Sequence, residues 1–501
     1  MTIHGLTPSI ATDKEIPLCV DMDGTLVRTD CLWEAAVQIL FHHSSRLAGI
    51  LLGCWRGKAW IKRQIAQTAA LPVASLPYNK DVISLITQAK SAGRKAILIT
   101  ASDQVMADGI AAHLKLFDEV IGSDGVTNLK GPAKAELLVK KFGRGGFDYA
   151  GDSAADIPVW EAARRAYAVN PVPAAKRWVA QHGPEGTGSG GGTPLPHYAT
   201  TLGVRRGRFG ALVRALRPQH WVKNILVFLP VVAAHLWGQG HAWLLLAAFF
   251  LALCCGASAV YLINDLADIE SDRRHKDKWR RPVAAGDLSI ADACLAIPLL
   301  LALAFCFCSM QGRMPAELLL GYLVATSAYS FRLKKVPILD VLFLSGFYVF
   351  RIVAGAVVAS VPLSEWLIAF AMFLFLSLAA AKRYVELTDL SEDKRANAAR
   401  GYLPEDYPMI AAFGVNCGCM AVLVLGLYIN SDTFRKLYHQ AWVFWLLCLL
   451  LLYWLLRVWL LAGRRKLHED PVDFAIKDPV TWIIAALGGL VFLIAMSGNL
   501  R

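Results

Sequence analysis

The run NDLADIESDRRHKDKWRRP, residues 264–282, leaves a long apolar stretch and carries Asp265, Asp268 and Asp272 at positions i, i+3 and i+7. This spacing puts three carboxylates on one face of a helix. Like charges so placed repel one another, and lost hydration at a membrane edge adds to the cost, so the pattern suits a cation site. A hard divalent ion such as Mg2+, carrying a phosphorylated substrate, is the natural occupant, with all three carboxylates as metal ligands. Asp265 and Asp268 are then the catalytic pair and Asn264 a substrate contact. The plainer alternative is a capped helix on a solvated loop, in which Arg273 to Arg281 only mark membrane topology.

At 501 residues the chain has room for two or three domains, and a hydrophobic share of 56% is too high for a wholly soluble protein. Its mean hydropathy is +0.44. The average hides a divide: up to about Gln181 the sequence reads as a soluble domain, and beyond about Trp221 apolar runs of roughly 20 residues dominate. Between them, GPEGTGSGGGTPLPHYAT, residues 183–200, has the composition of a flexible tether that raises the local concentration of one domain beside the other. The expected domains are therefore residues 1–182 and 205–501, with 183–204 as linker.

The formal charge of +12 arises mostly beside apolar spans, which points to membrane orientation and away from nucleic acid. The 11 cysteines form no CxxC pair and read as small apolar packers in a reducing compartment. MTIHGLTPSIATDKEIP at the start lacks the apolar core of a signal peptide, so the soluble domain is expected in the cytoplasm.

In the soluble part, IPLCVDMDGTLVRTD, residues 16–30, runs an apolar strand into Asp21, Asp23 and Thr25. Residues just past a strand's carboxyl end line the ligand crevice of an open α/β sheet. A second strand in RKAILITAS, residues 94–102, ends at Thr100, and a third in FDYAGDSAAD, residues 147–156, ends at Asp152 and Asp156. Lys130 and Lys134 flank the start of a helix from Pro132 to Lys141. In this order the pieces resemble the haloacid dehalogenase superfamily over roughly residues 16–180, a Rossmann-like α/β fold. The resemblance implies Asp21 as nucleophile, Asp23 as acid and base, Thr100 on the phosphoryl oxygens and Lys134 on the charge, with Lys130 second. It also implies a Mg2+ site drawn from Asp21, Asp23, Asp152 and Asp156. An acidic residue at position 23 favours a phosphatase or phosphomutase, and the largely helical insertion at residues 30–78 is expected to form a cap.

The remainder reads as nine apolar spans, roughly 221–238, 241–263, 289–310, 316–331, 338–358, 364–381, 407–429, 441–462 and 479–497. Basic residues precede the first span and gather after the even-numbered ones, which places the N-terminal domain and these loops on the cytoplasmic side. The setting expected is the inner membrane of a bacterium. Glu386, Asp389 and Asp393 repeat the i, i+3, i+7 spacing between spans six and seven, as a second acidic cluster for one diphosphate.

NDxxDxxxD at the exit of the second span resembles the UbiA-type intramembrane prenyltransferases, all-helical bundles, over about residues 210–500. RPQHWVKN (217–224), YSFRLKKVPILD (329–340) and KRYVEL (382–387) are similar to the branch that joins phosphoribosyl diphosphate to a polyprenyl phosphate, the decaprenyl-phosphate phosphoribosyltransferases. So anionic a pair of substrates calls for extra cationic donors. Lys223, Lys334, Lys335, Lys382 and Arg383 can supply them, with Tyr329 and Glu386 in the same motifs. Arg351 falls well inside span five, where an unpaired charge is costly, and is expected to face a cavity. The implied partners are a polyprenyl phosphate, phosphoribosyl diphosphate and the lipid bilayer, with Mg2+ in both domains and no nucleic acid. The residues leave open an aromatic prenyltransferase using a prenyl diphosphate and, more distantly, a transporter with a regulatory phosphatase-like domain.

Overall fold

The computed structural model of the chain describes residues 14–182, 198–202, 207–388, 401–437, 440–467 and 471–497, apart from positions 43–44, 47–48, 51–52, 54, 56–57, 70 and 125–128. It divides into two compact units, one of residues 1–216 with 261–297 and the other of residues 217–260 with 298–501.

The first unit is built on six parallel strands: β1 (Leu18–Val20), β2 (Ala96–Asp103), β3 (Glu119–Ser123), β4 (Asp148–Gly151), β5 (Arg165–Val169) and β6 (Tyr198–Leu202). Their order in the sheet is β3, β2, β1, β4, β5, β6. Strand alternation sorts side chains to two faces. Leu18, Val20 and Leu98 join one apolar cluster with Ile39 and Ile86, while Cys19, Ile97 and Ile99 join another with Leu138 and Trp160. With both faces covered, β1 and the first four residues of β2, Ala96–Ile99, are apolar throughout. The order in which the chain adds strands reverses between β1 and β4, and at such a point the loops past the strand ends part to leave a crevice. Asp21 follows β1 and Asp152 follows β4. The cap insertion contributes the helices Cys31–His42 and Lys58–Thr68, which pack on each other.

One expectation needs correction here. The stretch 183–204 contains β6, which adds to the edge of β5 with Tyr198 opposite Arg165 and Leu202 opposite Val169. Thr200 and Thr201 are β-branched and favour a pleated strand, a signal outweighed in composition by the glycine-rich run before them. Residues 183–197 lie outside the described residues.

Residues 261–297 pack as part of this first unit. They comprise the last turns of the helix Gly240–Ala267, the short helix Ile269–Arg274, a 3-10 turn at Lys278–Arg280 and the start of the helix Ile290–Ser309. Arg273 meets Glu34 of the cap through bonds of 2.6 and 3.1 Å. Asp287 receives Arg28 at 2.8 Å and Arg214 at 3.0 Å. Gly286 has φ +73°, and a Cβ there would lie 2.7 Å from the Arg28 carbonyl oxygen, so the close approach requires glycine.

The second unit is helical. Among the described residues six helices are long and apolar enough to cross a membrane, where nine spans were expected: Gly240–Ala267, Ile290–Ser309, Leu339–Val358, Glu365–Thr388, Tyr407–Ile429 and Ala441–Gly463. The expected fourth and ninth spans are the helices Arg313–Phe331 and Pro479–Ser497. The expected first span is no single α-helix but a 3-10 segment, Pro218–Phe228, followed by a five-residue helix, Leu229–Ala233. Pro218 and Pro230 each start a new piece, since proline lacks the N–H that would extend the preceding turn. The 3-10 segment lies against Leu339–Val358 at Gly355, where a Cβ would fall 2.0 Å from the Val227 carbonyl oxygen. Small residues at helix contacts permit this kind of backbone approach in membranes.

Candidate functional site

At the switch point of the first unit, Asp21 is nearly buried, and its Oδ1 accepts from the Lys134 ammonium at 2.9 Å and from the Met22 amide at 2.9 Å. Lys134 also donates to the Tyr149 hydroxyl at 2.8 Å and lies 3.7 Å from Asp156. Tyr149 in turn donates to Asp156 Oδ1 at 2.8 Å. Asp156 Oδ2 accepts from the Ser153 amide and hydroxyl at 3.0 and 2.8 Å, which fixes its carboxylate. Ligand oxygens of Asp21, Asp152 and Asp156 gather within 4.8 Å of one another. Gly24, φ +75°, makes room for them, because a Cβ there would strike Asp152 Oδ2 at 2.3 Å.

Burial pushes the Asp21 carboxyl up to about 7, against the pull of Lys134 and with the charge of Asp156 adding to the rise. Burial opposes charge on Lys134, but Asp21 and Asp156 outweigh it and hold the ammonium above its usual range. Asp23 stands apart from the three clustered carboxylates. Its Oδ2 accepts from Ser102 Oγ at 2.6 Å and its Oδ1 from the Cys31 amide at 2.8 Å, at the start of the cap helix. Thr100 is fully buried and its hydroxyl accepts from the Ser102 amide at 3.0 Å. Lys130 is exposed. The reason is local: Gly131, φ +58°, and Pro132 start the helix, and Lys134 in its first turn points inward.

The aspartate run is arranged differently. Asp265 and Asp272 are both buried and share one guanidinium, that of Arg281, at 3.3 and 2.5 Å. Burial raises the Asp272 carboxyl and Arg281 opposes the rise. Asp268, half-buried, accepts Ser271 through its backbone carbonyl at 2.9 Å. Among the described residues these three carboxylates do not gather as closely as the Asp21 group. Arg281, a member of the same run, supplies a positive charge to both Asp265 and Asp272.

In the second unit the motifs at 329–340 and 382–387 converge. Tyr329 donates to Asp340 Oδ1 at 2.6 Å, and the Arg383 guanidinium grips both oxygens of Asp340, reaches Glu386 and meets the Tyr329 hydroxyl at 3.3 Å. Lys382 and Lys334 are half-buried and Lys335 is exposed. Arg351 is buried, donating to Asn224 at 2.8 Å, Tyr322 at 3.0 Å and the Phe347 carbonyl at 2.5 Å, and it lies over the rings of Tyr322 and Tyr348. Lys223 Nζ sits 5.9 Å from the Tyr348 ring centroid. Asp389 and Asp393 fall outside the described residues.

A family model described as the UbiA prenyltransferase family matches residues 226–477, half of the chain. The chain belongs to the UbiA prenyltransferase family. With six apolar helices of spanning length among the described residues, it is an integral membrane protein. This UbiA member is 36% identical over 488 residues to the uncharacterized protein y4nM of Sinorhizobium fredii, covering 97% of this chain and 92% of that one. It is also 36% identical to the decaprenyl-phosphate phosphoribosyltransferase of Corynebacterium glutamicum over 181 residues, 35% of this chain and 54% of the relative. Among solved structures, a HAD family hydrolase from Salmonella enterica serovar Typhi matches at 16% identity and a TM-score of 0.25, over 32% of this chain and 66% of that one.

Four residues of this UbiA member were missed in the sequence. Tyr149 reads as a strand residue, although its place two before Gly151 puts it inward beside the acidic loop. Arg281 and Asp340 lie inside the quoted runs, and Asp340, an acid closing a basic segment, could have been paired with Arg383. Glu34 has no local signal.

Proposed function

We propose that the chain transfers a 5-phosphoribosyl group from phosphoribosyl diphosphate to a polyprenyl phosphate, and that its N-terminal unit then removes the 5-phosphate to give polyprenyl-phosphoryl ribose. Support for the transfer comes from the 36% identity to a decaprenyl-phosphate phosphoribosyltransferase together with three motifs rich in cations. The observation that carries the second step is the contact of Lys134 with Asp21 at the sheet's switch point.

In the transfer, an oxygen of the lipid phosphate forms a bond to the anomeric carbon while the bond to the diphosphate breaks. Lys223, Lys334, Lys335, Lys382 and Arg383 would bind and orient the anions, and Arg351, with Asn224 and Tyr322, would present a fixed positive charge. Asp265, Asp268 and Asp272 would hold Mg2+ in this step, as Asp21, Asp152 and Asp156 would in the other. Asp21, Asp152 and Asp156 fit, with ligand oxygens within 4.8 Å of one another, and the ion would supply neutralisation of phosphate charge.

In the hydrolysis, Asp21 attacks phosphorus as Asp23 gives a proton to the departing ribose oxygen. Asp23 then takes a proton from water, which releases inorganic phosphate and restores Asp21. Thr100 and Lys134 would steady the phosphoryl oxygens. The topology that suits this reading has nine spans, with the soluble unit and basic loops in the cytoplasm of a bacterium.

Mass spectrometry of lipids made by purified protein from phosphoribosyl diphosphate and a polyprenyl phosphate tests both steps. Polyprenyl-phosphoryl ribose is the expected product. Turnover of an aromatic acceptor with a prenyl diphosphate, and none with phosphoribosyl diphosphate, would overturn the reading.

A further inference from the structure

The cap helix Cys31–His42 starts on Asp23, whose Oδ1 accepts the Cys31 amide at 2.8 Å. One turn on, Glu34 is 4% exposed and takes both arms of Arg273, Nη2 to Oε1 at 2.6 Å and Nη1 to Oε2 at 3.1 Å. Arg273 belongs to the helix Ile269–Arg274, directly after Asp272, and its Nε donates to the Ala284 carbonyl at 2.9 Å. Asp272 and Asp265 share Arg281. A continuous series of short bonds therefore runs from the carboxylate of Asp23, through one cap turn, to the aspartate run. A second tie flanks it, since Asp287 holds Arg28, seven residues past Asp21, and Arg214.

The chemistry of the Glu34 pair argues for positioning. Replacing a buried ion pair by apolar side chains of similar size is often neutral for stability, so such a pair is a poor adhesive. What it does provide is geometry: a planar guanidinium on a carboxylate, with its third nitrogen on a carbonyl, fixes the direction of both helices.

We propose that Glu34 and Arg273 are positioning residues that couple the two sites, so that phosphoryl occupancy at Asp21 and Asp23 holds the helix 269–274, and with it Asp272, in one arrangement. The coupling rests on the phosphatase reading of Asp21. Linkage makes it reciprocal: whatever orders the aspartate run tightens phosphoryl binding by the same factor.

Amide hydrogen exchange on the full-length protein in detergent tests this, with Mg2+ and beryllium fluoride as a mimic of a phosphoryl group on aspartate. In the wild type we expect slowed exchange at residues 21–25 and, through the coupling, about fivefold slower exchange at residues 269–274. Glu34→Gln should keep the first effect and lose the second, and Arg273→Lys, which retains the charge without the fork, should also lose it. Protection at 21–25 with none at 269–274 in the wild type overturns the coupling and leaves the phosphatase reading intact. Absence of protection at 21–25 overturns both. Remote protection that survives in either variant removes these two residues from the path.

Discussion

Arg383 and Asp340, on the helices Glu365–Thr388 and Leu339–Val358, face each other across the bundle with no more than 1% of either exposed. Arg383 Nη2 meets Asp340 Oδ1 at 2.9 Å while Nε holds the other oxygen. Removing one member leaves the other buried without its main counter-charge, with only Tyr329 and, for Arg383, Glu386 beside it. Asp340→Asn should therefore cost about 3–5 kcal/mol, read as a lower thermal midpoint in detergent. Arg383→Lys should be nearly as damaging, because an ammonium cannot span both oxygens. A midpoint unchanged in both variants would count against the pair as an organising contact.

Asp21→Asn should abolish hydrolysis of a small phosphate ester, since the amide cannot attack phosphorus. In the coupled reaction it should accumulate the lipid that still bears its 5-phosphate. Dephosphorylated lipid formed at the wild-type rate would show that the N-terminal unit acts on something else.

Asp265→Asn should give the opposite split, with transfer from radiolabelled phosphoribosyl diphosphate lost and ester hydrolysis largely kept. Full transfer in this variant would sink the role assigned to the aspartate run.

The raised Asp21 carboxyl carries a pH signature. It ionises near 3.8 in an ordinary setting and near 7 here, so between those values the fold binds a proton that the unfolded chain does not. This contribution to stability is complete below the lower value and is lost as pH rises through the upper one. In the presence of a chelator, the thermal midpoint should fall between about pH 4 and about pH 7, and Asp21→Asn should remove that part of the fall. Mg2+ should restore stability at the alkaline end, where the ionised carboxylate can accept it.

Gly355→Leu should disrupt the bundle, because its Cβ would lie 2.0 Å from the backbone oxygen of Val227 and neither helix nor 3-10 segment can yield cheaply. Loss of folded protein in size-exclusion chromatography is the expected reading, and wild-type elution with full activity would contradict it.

Much of the Asp21 site was legible because its chemistry sits at strand ends, where short apolar runs announce the strand and the next acidic residue the crevice. Choosing Lys134 over Lys130 needed the helix start at Gly131 and Pro132, also local. The Glu34–Arg273 pair was invisible, since partners 239 positions apart leave no periodic trace. The first span is no single α-helix for another reason: a hydropathy window sums apolar residues and is blind to Pro230, which starts a new short helix within it. Arg351 was flagged by its cost in lipid, but its neutral partners Asn224 and Tyr322 come from other elements and had to be seen in place.

The edge strand β6 changes where the first sheet ends. Helix Pro173–His182 and β6 both belong to the first unit and pack on each other, so the described residues on both sides of 183–197 belong to one body. Loop closure becomes only slowly costlier with length, so inserting a protease site there should be harmless. Cleaving it would sever the Asp21 site from β6 and from everything after it, yet the ladder between β5 and β6 would still clasp the pieces. The two fragments should purify together, and a soluble form stopped at residue 182 would be left with the bare edge of β5.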